Sequence, residues 1–263
     1  MSALTLTHIG GPTTLLEVEG WRILTDPTFD APGRTYRFGW GTSSRKTTGP
    51  AVPAAEIGRV DAVLLTHDQH ADNLDDAGRG LLPTAGSVIT TASGARRLGH
   101  QHARGLRPWD TTLLLAPGRP AITVTATPAR HGPAGSRPIV GDVVGFDLTW
   151  EGQEHGSLWV TGDTVLYDGV RAVARRLAVG SAILHLGRVG FPVTGPLGYT
   201  MGAGDAVELV RLLRPASVVP VHYEGWSHFR QGRDDLVTAL ADAPDVAGRV
   251  RWATLGEPLG LTV

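Results

Sequence analysis

The chain has 263 residues, of which 41% are hydrophobic, and this combination can bury one large core. Lysine and arginine together number 24 against 25 aspartates and glutamates, so no net field draws the protein to nucleic acid or to an anionic membrane, and a small-molecule partner fits better. Because the chain has no cysteine, disulfides and thiolate ligands are excluded, and any metal must be held by imidazole, carboxylate, amide or water.

The chain begins with an alternating, strand-like run that has neither a basic leader region nor a long apolar stretch. No later segment approaches the roughly 20 apolar residues that a membrane span requires. We therefore expect a soluble, cytoplasmic protein whose residues 1–263 form one domain, without a membrane or nucleic-acid partner. Its oligomeric state stays open.

The first part of the chain predicts an antiparallel sheet. Its short β-prone runs, the last two joined by a hairpin turn, are residues 4–9, Thr13–Val18 and Trp21–Thr25. Residues 26–53 then form a loop that we interpret as a lid or pocket wall, because so long a loop in a compact domain is more often functional than idle. Beyond the loop, strands and helices alternate as a strand at 61–65, a helix at 74–82, a strand at 87–90 and a helix at 92–99.

The second half repeats this order of parts. Its predicted elements are strands at 121–127, 143–150 and Ser157–Val160, a helix at 170–177, a strand at 182–186, a helix at Ala203–Leu213 and a strand at Ser217–Val221. A β-rich segment followed by alternating strands and helices, twice over, favours an α/β fold with two sheets sandwiched between helices.

Metal-capable side chains follow four of these strands. They are His67, His131, Asp163 and His222. Since ligand sites in layered α/β folds gather in loops at strand ends, these residues can converge on one site. Neutral imidazoles and carboxylates suit zinc, manganese or iron, and Asp163 can bridge two ions because its carboxylate has two oxygens.

Some of these histidines and aspartates have a simpler interpretation when taken alone. Asp163 could cap a turn, and His222 could be a packing residue. His185 follows an apolar strand and is equally well a hydrogen-bonded core residue or a partner of the site. The remaining histidines stand in no such setting and are interpreted as surface or packing residues: His8, His100, His102, His155 and His228. Replacing His228 is accordingly expected to leave metal binding unchanged.

The order of these motifs resembles that of the metallo-β-lactamase superfamily. The motifs are HDQHADNLD at 67–75, the strand-end histidine at 131, GDT at 162–164 and VHY at 221–223, and the run HIGGPTTLLEVEGWRILTDPTF resembles the amino-terminal strands of the L-ascorbate-6-phosphate lactonase-like and phospholipase-D-like branch. The resemblance implies a four-layer αββα sandwich with a metal site at one edge of the two sheets. It also implies hydrolysis of an ester, lactone, amide or phosphodiester by a metal-bound hydroxide.

The first motif departs from the family pattern His-x-His-x-Asp-His. Counted from His67, Gln69 falls at the second-histidine position, but counted back from Asp72 that position belongs to His70. Because imidazole is the better ligand, we assign the ligand role to His70 and a water-binding role to Gln69. Asn73 replaces the final histidine, which predicts that a second ion binds weakly or not at all.

The resemblance implies ligand sets for Zn²⁺, with Mn²⁺ or Fe²⁺ as alternatives, and for one or two ions. The main ion would be held by His67, His70, His131 and Asp163, and a second by Asp72, Asp163 and His222. Asp72, as general base, and His222 are the candidate catalytic residues. Tyr223 or His185 is the candidate for stabilising an oxyanion or protonating a leaving group.

Other functions are weighed against a metal-dependent hydrolase of small molecules. A degenerate, non-catalytic family member that binds a ligand or partner at the same site is suggested by Gln69 and Asn73, and metal content separates the two. A nuclease is disfavoured by the balanced charge and by the lack of a basic stretch interleaved with aromatic residues. Four basic residues in the 26–53 loop could meet an anionic substrate or simply form a solvated face: Arg34, Arg37, Arg45 and Lys46.

Overall fold

Strand side chains in the first sheet alternate between two buried faces. In the computed structural model, which describes residues 3–263, Leu16 and Ile23 belong to one apolar cluster, whereas their chain neighbours Leu15 and Leu24 belong to another. This two-residue period follows from the pleat of a β-strand. Both faces of the sheet are therefore covered by other parts of the chain.

The strands form two large sheets and a separate hairpin. In chain order they are β1 (Ala3–Gly10), β2 (Thr13–Val18), β3 (Trp21–Thr25), β4 (Thr35–Gly39), β5 (Thr42–Arg45), β6 (Ala62–Leu64), β7 (Val88–Thr91), β8 (Ala103–Leu106), β9 (Thr111–Leu114), β10 (Ile122–Pro128), β11 (Val144–Thr149), β12 (Ser157–Val160), β13 (Val179–His185), β14 (Ser217–Val221) and β15 (Pro258–Thr262). The first sheet has the order β15-β1-β2-β3-β6-β7-β8, the second has the order β14-β13-β12-β11-β10-β9, and β4 pairs with β5.

Helices cover the outer face of each sheet. They are α1 (Asp76–Leu81), α2 (Ala92–Leu98), α3 (Arg137–Val140), α4 (Asp168–Arg176), α5 (Ala203–Leu213), α6 (Arg233–Ala241) and α7 (Pro244–Ala247). The cluster shared by both sheets includes Leu16, Phe146 and Val219, and a second cluster joins the outer face of the second sheet to α4, α5 and α6. A third cluster lies over the first sheet and includes side chains of α1 and α2. The predicted four-layer αββα sandwich is confirmed.

Strand direction brings the polar strand ends to one edge. In the second sheet β12, β13 and β14 run parallel, and β10 runs in the same direction because β11 is antiparallel to both β10 and β12. In the first sheet β3, β6 and β7 are parallel. The carboxyl ends of parallel strands share an edge of a sheet, so the loops that follow β10, β12 and β14 lie together.

Several elements lie where the sequence pattern is weak. The loop at 26–53 contains the hairpin of β4 and β5, whose turn includes Trp40 at a positive φ of 52°. The edge strands β8, β9 and β15 and the helix α6 were also absent from the predicted elements. Edge strands such as β15 are largely exposed and carry no run of buried side chains, so they lack the apolar signal of central strands. Among residues 3–263, no helix combines the length and apolar character that crossing a bilayer would need.

Candidate metal centre

Three histidines from two different strand ends meet at a single point. Nε2 of His67 lies 3.1 Å from Nδ1 of His70, and Nε2 of His131 lies 3.2 Å from the same atom. Two nitrogens on a tetrahedral zinc, each at 2.0–2.1 Å, are separated by about 3.3 Å. Both distances match what one ion requires, and one donor atom from each of the three rings lies within 4.8 Å of the others.

Hydrogen bonds at Nδ1 orient two of these rings, those of His67 and His131, so that Nε2 of each faces His70. Nδ1 of His131 donates to the carbonyl of Tyr199 at 2.9 Å. The Thr66 hydroxyl donates to Asp26 at 2.9 Å, so it accepts from Nδ1 of His67, 3.1 Å away. Nε2 of each ring is then an unprotonated acceptor, and a single proton on His70 cannot satisfy both. Such partners on the far nitrogen commonly orient histidine ligands of metals.

The electrostatics of the trio favour neutral, ligand-competent imidazoles. Burial lowers the pKa of His131 to about 3 and holds the pKa of His67 well below its usual range, and the neighbouring histidines add to both effects. Burial also lowers the pKa of His70. Since a metal ligand must be deprotonated, all three rings are in the required state at neutral pH.

A second group lies beside the trio. It consists of Asp72, Asp163 and His222, with one donor atom from each within 4.8 Å of the others. His222 approaches both carboxylates at 3.4 Å, through Nε2 toward Asp72 and Nδ1 toward Asp163. The backbone of His222 is in the left-handed region, with φ of 58°, and its N–H donates to Gly11 at 2.8 Å. Such strained backbone is held only where the surroundings impose it, often at functional sites.

The two carboxylates of this group have opposite pKa shifts. Burial raises the pKa of Asp163 to about 6. Burial would also raise that of Asp72, but His222 and His228 beside its carboxylate hold the pKa well below the usual range. Burial lowers the pKa of His222, yet Asp163 and Asp72 outweigh it and raise the pKa to about 9. The group as a whole therefore attracts positive charge.

Buried polar atoms without hydrogen-bond partners indicate that these residues suit a bound cation. Within residues 3–263, Oδ1 of Asp72, Oδ2 of Asp163 and both ring nitrogens of His222 are buried without a hydrogen-bond partner. Buried polar groups in native proteins are almost always paired, so such a cluster calls for an explanation. Imidazole and carboxylate donors suit zinc, manganese and iron, and the two groups could hold one or two such ions.

The two unusual residues of the first motif lie outside the donor groups. The Gln69 side chain packs on Gly141, where a Cβ atom would lie 2.1 Å from its Nε2, and glycine also suits the φ of 84° found there. The Asn73 amide donates to Asp26 at 3.3 Å and to Asp163 at 3.4 Å. The structure thus brings His70, rather than Gln69, to His67.

Asp26 is a site residue that sequence reasoning missed. Its carboxylate accepts from the backbone and the hydroxyl of Thr66, lies 3.1 Å from Nε2 of His185 and accepts from Asn73. Burial raises its pKa to about 7 although the hydrogen bonds from Thr66 oppose the rise. Its signal was visible, because Asp26 directly follows β3 just as the other site residues follow their strands.

Three other predicted roles change. His185 is fully buried against Asp26, which makes it a partner of the site. Tyr223 packs against Trp252, with ring centroids 6.2 Å apart, in the cluster outside the second sheet, so it is misplaced to stabilise an oxyanion. The interpretation of His228 as a residue away from the site is wrong, since its Nε2 lies 3.0 Å from Oδ2 of Asp72. In the sequence, the local difference between His228 and the exposed His155 is that Trp226 and Phe229 lie beside His228.

An apolar cavity of about 190 Å³ opens onto both donor groups. Its titratable residues are His70, Asp72 and His131, and Thr42 and Thr194 are its other polar residues. Its apolar lining comes from the β4–β5 hairpin, from α3 and from the segment between β13 and α5: Phe38, Trp40, Ile139, Val140, Val189, Phe191, Val193 and Tyr199. The predicted pocket wall within residues 26–53 is therefore present, and Phe38 lies over His70 with ring centroids 5.3 Å apart.

The basic residues of the same loop do not line this cavity. Lys46 is buried and its Nζ lies 2.8 Å from Oδ2 of Asp75, while Arg34 pairs with Asp76 at 2.5 Å. A larger cavity of about 440 Å³, lined by several arginines, lies on the other side of His131 but does not include Asp72. Of these two cavities, the apolar one reaches donors of both groups.

The fold, the paired donor groups and a matching family model define a class of protein, that of metallo-β-lactamase-fold proteins with a two-part His/Asp centre. The model of the family described as a beta-lactamase superfamily domain matches residues 21–223, and the chain belongs to that family. A relative from Pelotomaculum thermopropionicum, named a UPF0173 metal-dependent hydrolase, is 28% identical over 223 residues, which cover 79% of this chain and 85% of the relative. The predicted membership of a metal-dependent hydrolase family is confirmed.

Solved structures share the fold at lower sequence identity. An isothiocyanate hydrolase from Delia radicum gut bacteria superimposes with a TM-score of 0.81 at 23% identity, covering 98% of this chain and 99% of the other. A possible metal-dependent hydrolase from Veillonella parvula has a TM-score of 0.80 at 20% identity, with coverage of 98% and 99%. These likenesses extend over nearly the whole of both chains.

Proposed function

We propose that the protein is a metal-dependent hydrolase of small, uncharged molecules that carry an apolar group. One observation carries the proposal: a single apolar cavity ends on His70, Asp72 and His131, which belong to both donor groups. Binding sites for small molecules are typically apolar pockets with a few convergent polar groups. Here the convergent groups are also the candidate metal ligands.

Zinc fits the centre best, and manganese or iron is the alternative. His67, His70 and His131 would hold one ion, while Asp72, Asp163 and His222 would hold another, with the free oxygen of Asp163 available to bridge them. A bound ion of this kind lowers the pKa of water and so supplies hydroxide near neutral pH.

Asp72 and His222 carry the proton chemistry in this proposal. Oδ2 of Asp72 faces His222 and His228, which leaves the buried Oδ1 unpaired toward the site. Because the Asp72 carboxylate stays ionised, Oδ1 accepts a hydrogen bond from the attacking water and orients it. His222, whose Nε2 lies 3.4 Å from Oδ2, holds the Asp72 carboxylate in place.

The lining indicates the kind of substrate. Its volume of about 190 Å³ exceeds the roughly 150 Å³ cavity that is known to hold benzene, so an aryl or short alkyl group fits. No lysine or arginine lies among the described residues that line it, which favours a neutral ester, lactone or amide over a phosphodiester. Trp40 and Val193 at its mouth are 74% and 63% exposed, and a bound apolar group would cover them.

Hydrolysis assays on the metal-stripped and reloaded protein test the proposal. The protein is loaded with Zn²⁺, Mn²⁺ or Fe²⁺ and assayed on p-nitrophenyl esters of increasing acyl length, an aryl lactone, an aryl isothiocyanate and bis(p-nitrophenyl) phosphate. We expect metal-dependent hydrolysis of the neutral compounds, with kcat/KM rising about fourfold per added methylene until the cavity is full. Asp72→Asn should abolish turnover.

Two results would overturn the proposal. One is equal activity in the stripped and loaded protein. The other is metal binding without hydrolysis of any neutral compound, which would favour a non-catalytic ligand-binding protein.

A further inference from the structure

His228 lies at the second donor group although no motif includes it. It follows β14 by seven residues of chain, beyond the region matched by the family model, and its side chain is 1% exposed. Its Nε2 lies 3.0 Å from Oδ2 of Asp72, the oxygen that His222 also faces at 3.4 Å. Two imidazole nitrogens thus converge on one carboxylate oxygen.

The surroundings of His228 supply no other polar partner to its ring. Four aromatic rings pack on it at centroid distances of 4.7–6.1 Å: Phe38, Phe191, Trp226 and Phe229. Within residues 3–263, Nδ1 has no hydrogen-bond partner, and Nε2 approaches the Asp72 carboxylate without the geometry of a hydrogen bond. A buried, unpaired polar group costs about 1–3 kcal/mol, so the placement of this ring needs a compensating interaction.

The second donor group lacks an imidazole at position 73, where the chain has Asn73. This residue stands where the family pattern has a histidine, and its amide donates to Asp26 and Asp163. The second group is left with one imidazole, that of His222, and two carboxylates. Another imidazole at this position would restore the balance of nitrogen and oxygen donors that zinc prefers.

We infer that His228 is a ligand of the ion held by Asp72, Asp163 and His222, and that it replaces the imidazole absent at Asn73. The aromatic cage packs around the ring, whose Nε2 lies 3.0 Å from Oδ2 of Asp72. The inference rests on the metal centre of the proposed function but does not depend on turnover. It reverses the expectation from sequence that a second ion binds weakly.

Cobalt titration of the metal-free, full-length protein tests the inference. The design compares the wild type with His228→Phe, which keeps an aromatic ring in the cage but removes both nitrogens. We expect two Co²⁺ ions per wild-type chain and one in His228→Phe, with affinity for the other ion reduced by more than about 100-fold. Phe191→Leu, which alters the same cage without removing a donor, should keep both ions.

Proton NMR of the Co²⁺ protein separates ligation from a positioning role. Ring N–H protons of histidines bound to Co²⁺ are shifted far outside the normal range and disappear in D2O. At a Co²⁺ concentration high enough to refill the weakened site, His228→Phe should lack one such resonance and Phe191→Leu none. Thermal melting of the metal-free variants checks that both fold as the wild type does.

Three results would overturn the inference: a wild type that takes up a single ion at saturating Co²⁺, His228→Phe with wild-type uptake, or an unchanged set of shifted resonances in His228→Phe. The hydrolysis assays fail or succeed independently. Two ions bound through His228 without turnover would refute the proposed function and leave this inference standing.

Discussion

Nε2 of His67 and Nδ1 of His70 lie 3.1 Å apart, while the side chain of the intervening Gln69 lies against Gly141. The residue that interrupts the family spacing therefore directs its side chain away from the other two. Neighbouring residues on a turning chain point in different directions, so only one of Gln69 and His70 can meet His67. This relationship leads to the first prediction.

His70→Ala should lower metal affinity sharply, because it removes the nitrogen that lies between those of His67 and His131. Gln69→Ala should keep the metal and change mainly turnover or metal preference. Competition with a chromophoric chelator measures both variants against the wild type. The assignment is wrong if Gln69→Ala loses the metal and His70→Ala retains it.

Asp163→Ala should release most of the bound metal. Its carboxylate belongs to the second donor group and has a buried oxygen without a partner, which makes it the candidate bridge between two ions. Elemental analysis after gel filtration gives the metal content per chain. His155→Ala, at an exposed position, is the control and should keep full content. Full content in Asp163→Ala would rule out a bridging role.

The β4–β5 hairpin should respond to ligand. Phe38 and Trp40 line the cavity from the hairpin, and Arg37 beside them is exposed to trypsin. With phenylacetate as an apolar product analogue, cutting after Arg37 should slow, because a ligand under the hairpin disfavours its opening. Cutting after the exposed, remote Arg251 should not change. Equal rates after Arg37 at saturating phenylacetate would contradict a lid.

Lys46 and Asp75 form a buried ion pair that anchors the hairpin to the start of α1. Asp75 also accepts backbone N–H groups of Phe29, Asp30 and Gly78 at 2.9, 2.7 and 2.8 Å. Asp75→Ala should cost about 3–5 kcal/mol of unfolding free energy, because it leaves an ammonium buried without a partner. Lys46→Met should cost less, since three N–H donors still satisfy the carboxylate. Urea denaturation measures both, and equal losses would contradict this ranking.

Asp147 should make stability depend on pH. It is buried in β11, where burial raises its pKa to about 6 although the Ser157 hydroxyl donates to it. A raised folded-state pKa favours the folded protein at low pH, and this contribution is lost as the pH rises from about 4 to about 6. Asp147→Asn should therefore stabilise the protein at pH 8 by about 1–3 kcal/mol and by much less at pH 4.5.

Urea denaturation of metal-free protein at the two pH values measures the effect of Asp147→Asn. The exposed Asp242→Asn serves as the control and should show no such dependence. A gain in Asp147→Asn that is independent of pH would mean that the carboxylate is not the cause.

Much of the fold was already determined by local sequence pattern. Alternating apolar residues specified central strands such as β2 and β3, and polar residues placed directly after β6, β10, β12 and β14 marked the edge where the site forms. The two faces of a strand can be predicted from its own residues because the pleat has a period of two. Its end can be predicted because polar residues begin where burial stops. The chain order of His67, His131, Asp163 and His222 therefore sufficed to expect one site.

Tertiary structure decided what those residues meet. Neither His228 nor His155 directly follows a predicted strand, yet one lies 3.0 Å from Asp72 and the other is exposed. The β4–β5 hairpin has little apolar pattern of its own, and it becomes a cavity wall only because Lys46 reaches Asp75 and Phe38 reaches His70. Contacts between residues far apart in the chain depend on how sheets, loops and helices pack. The alternation of polar and apolar residues along the chain does not predict such contacts. The partners of Asp72 are therefore known only from the folded structure.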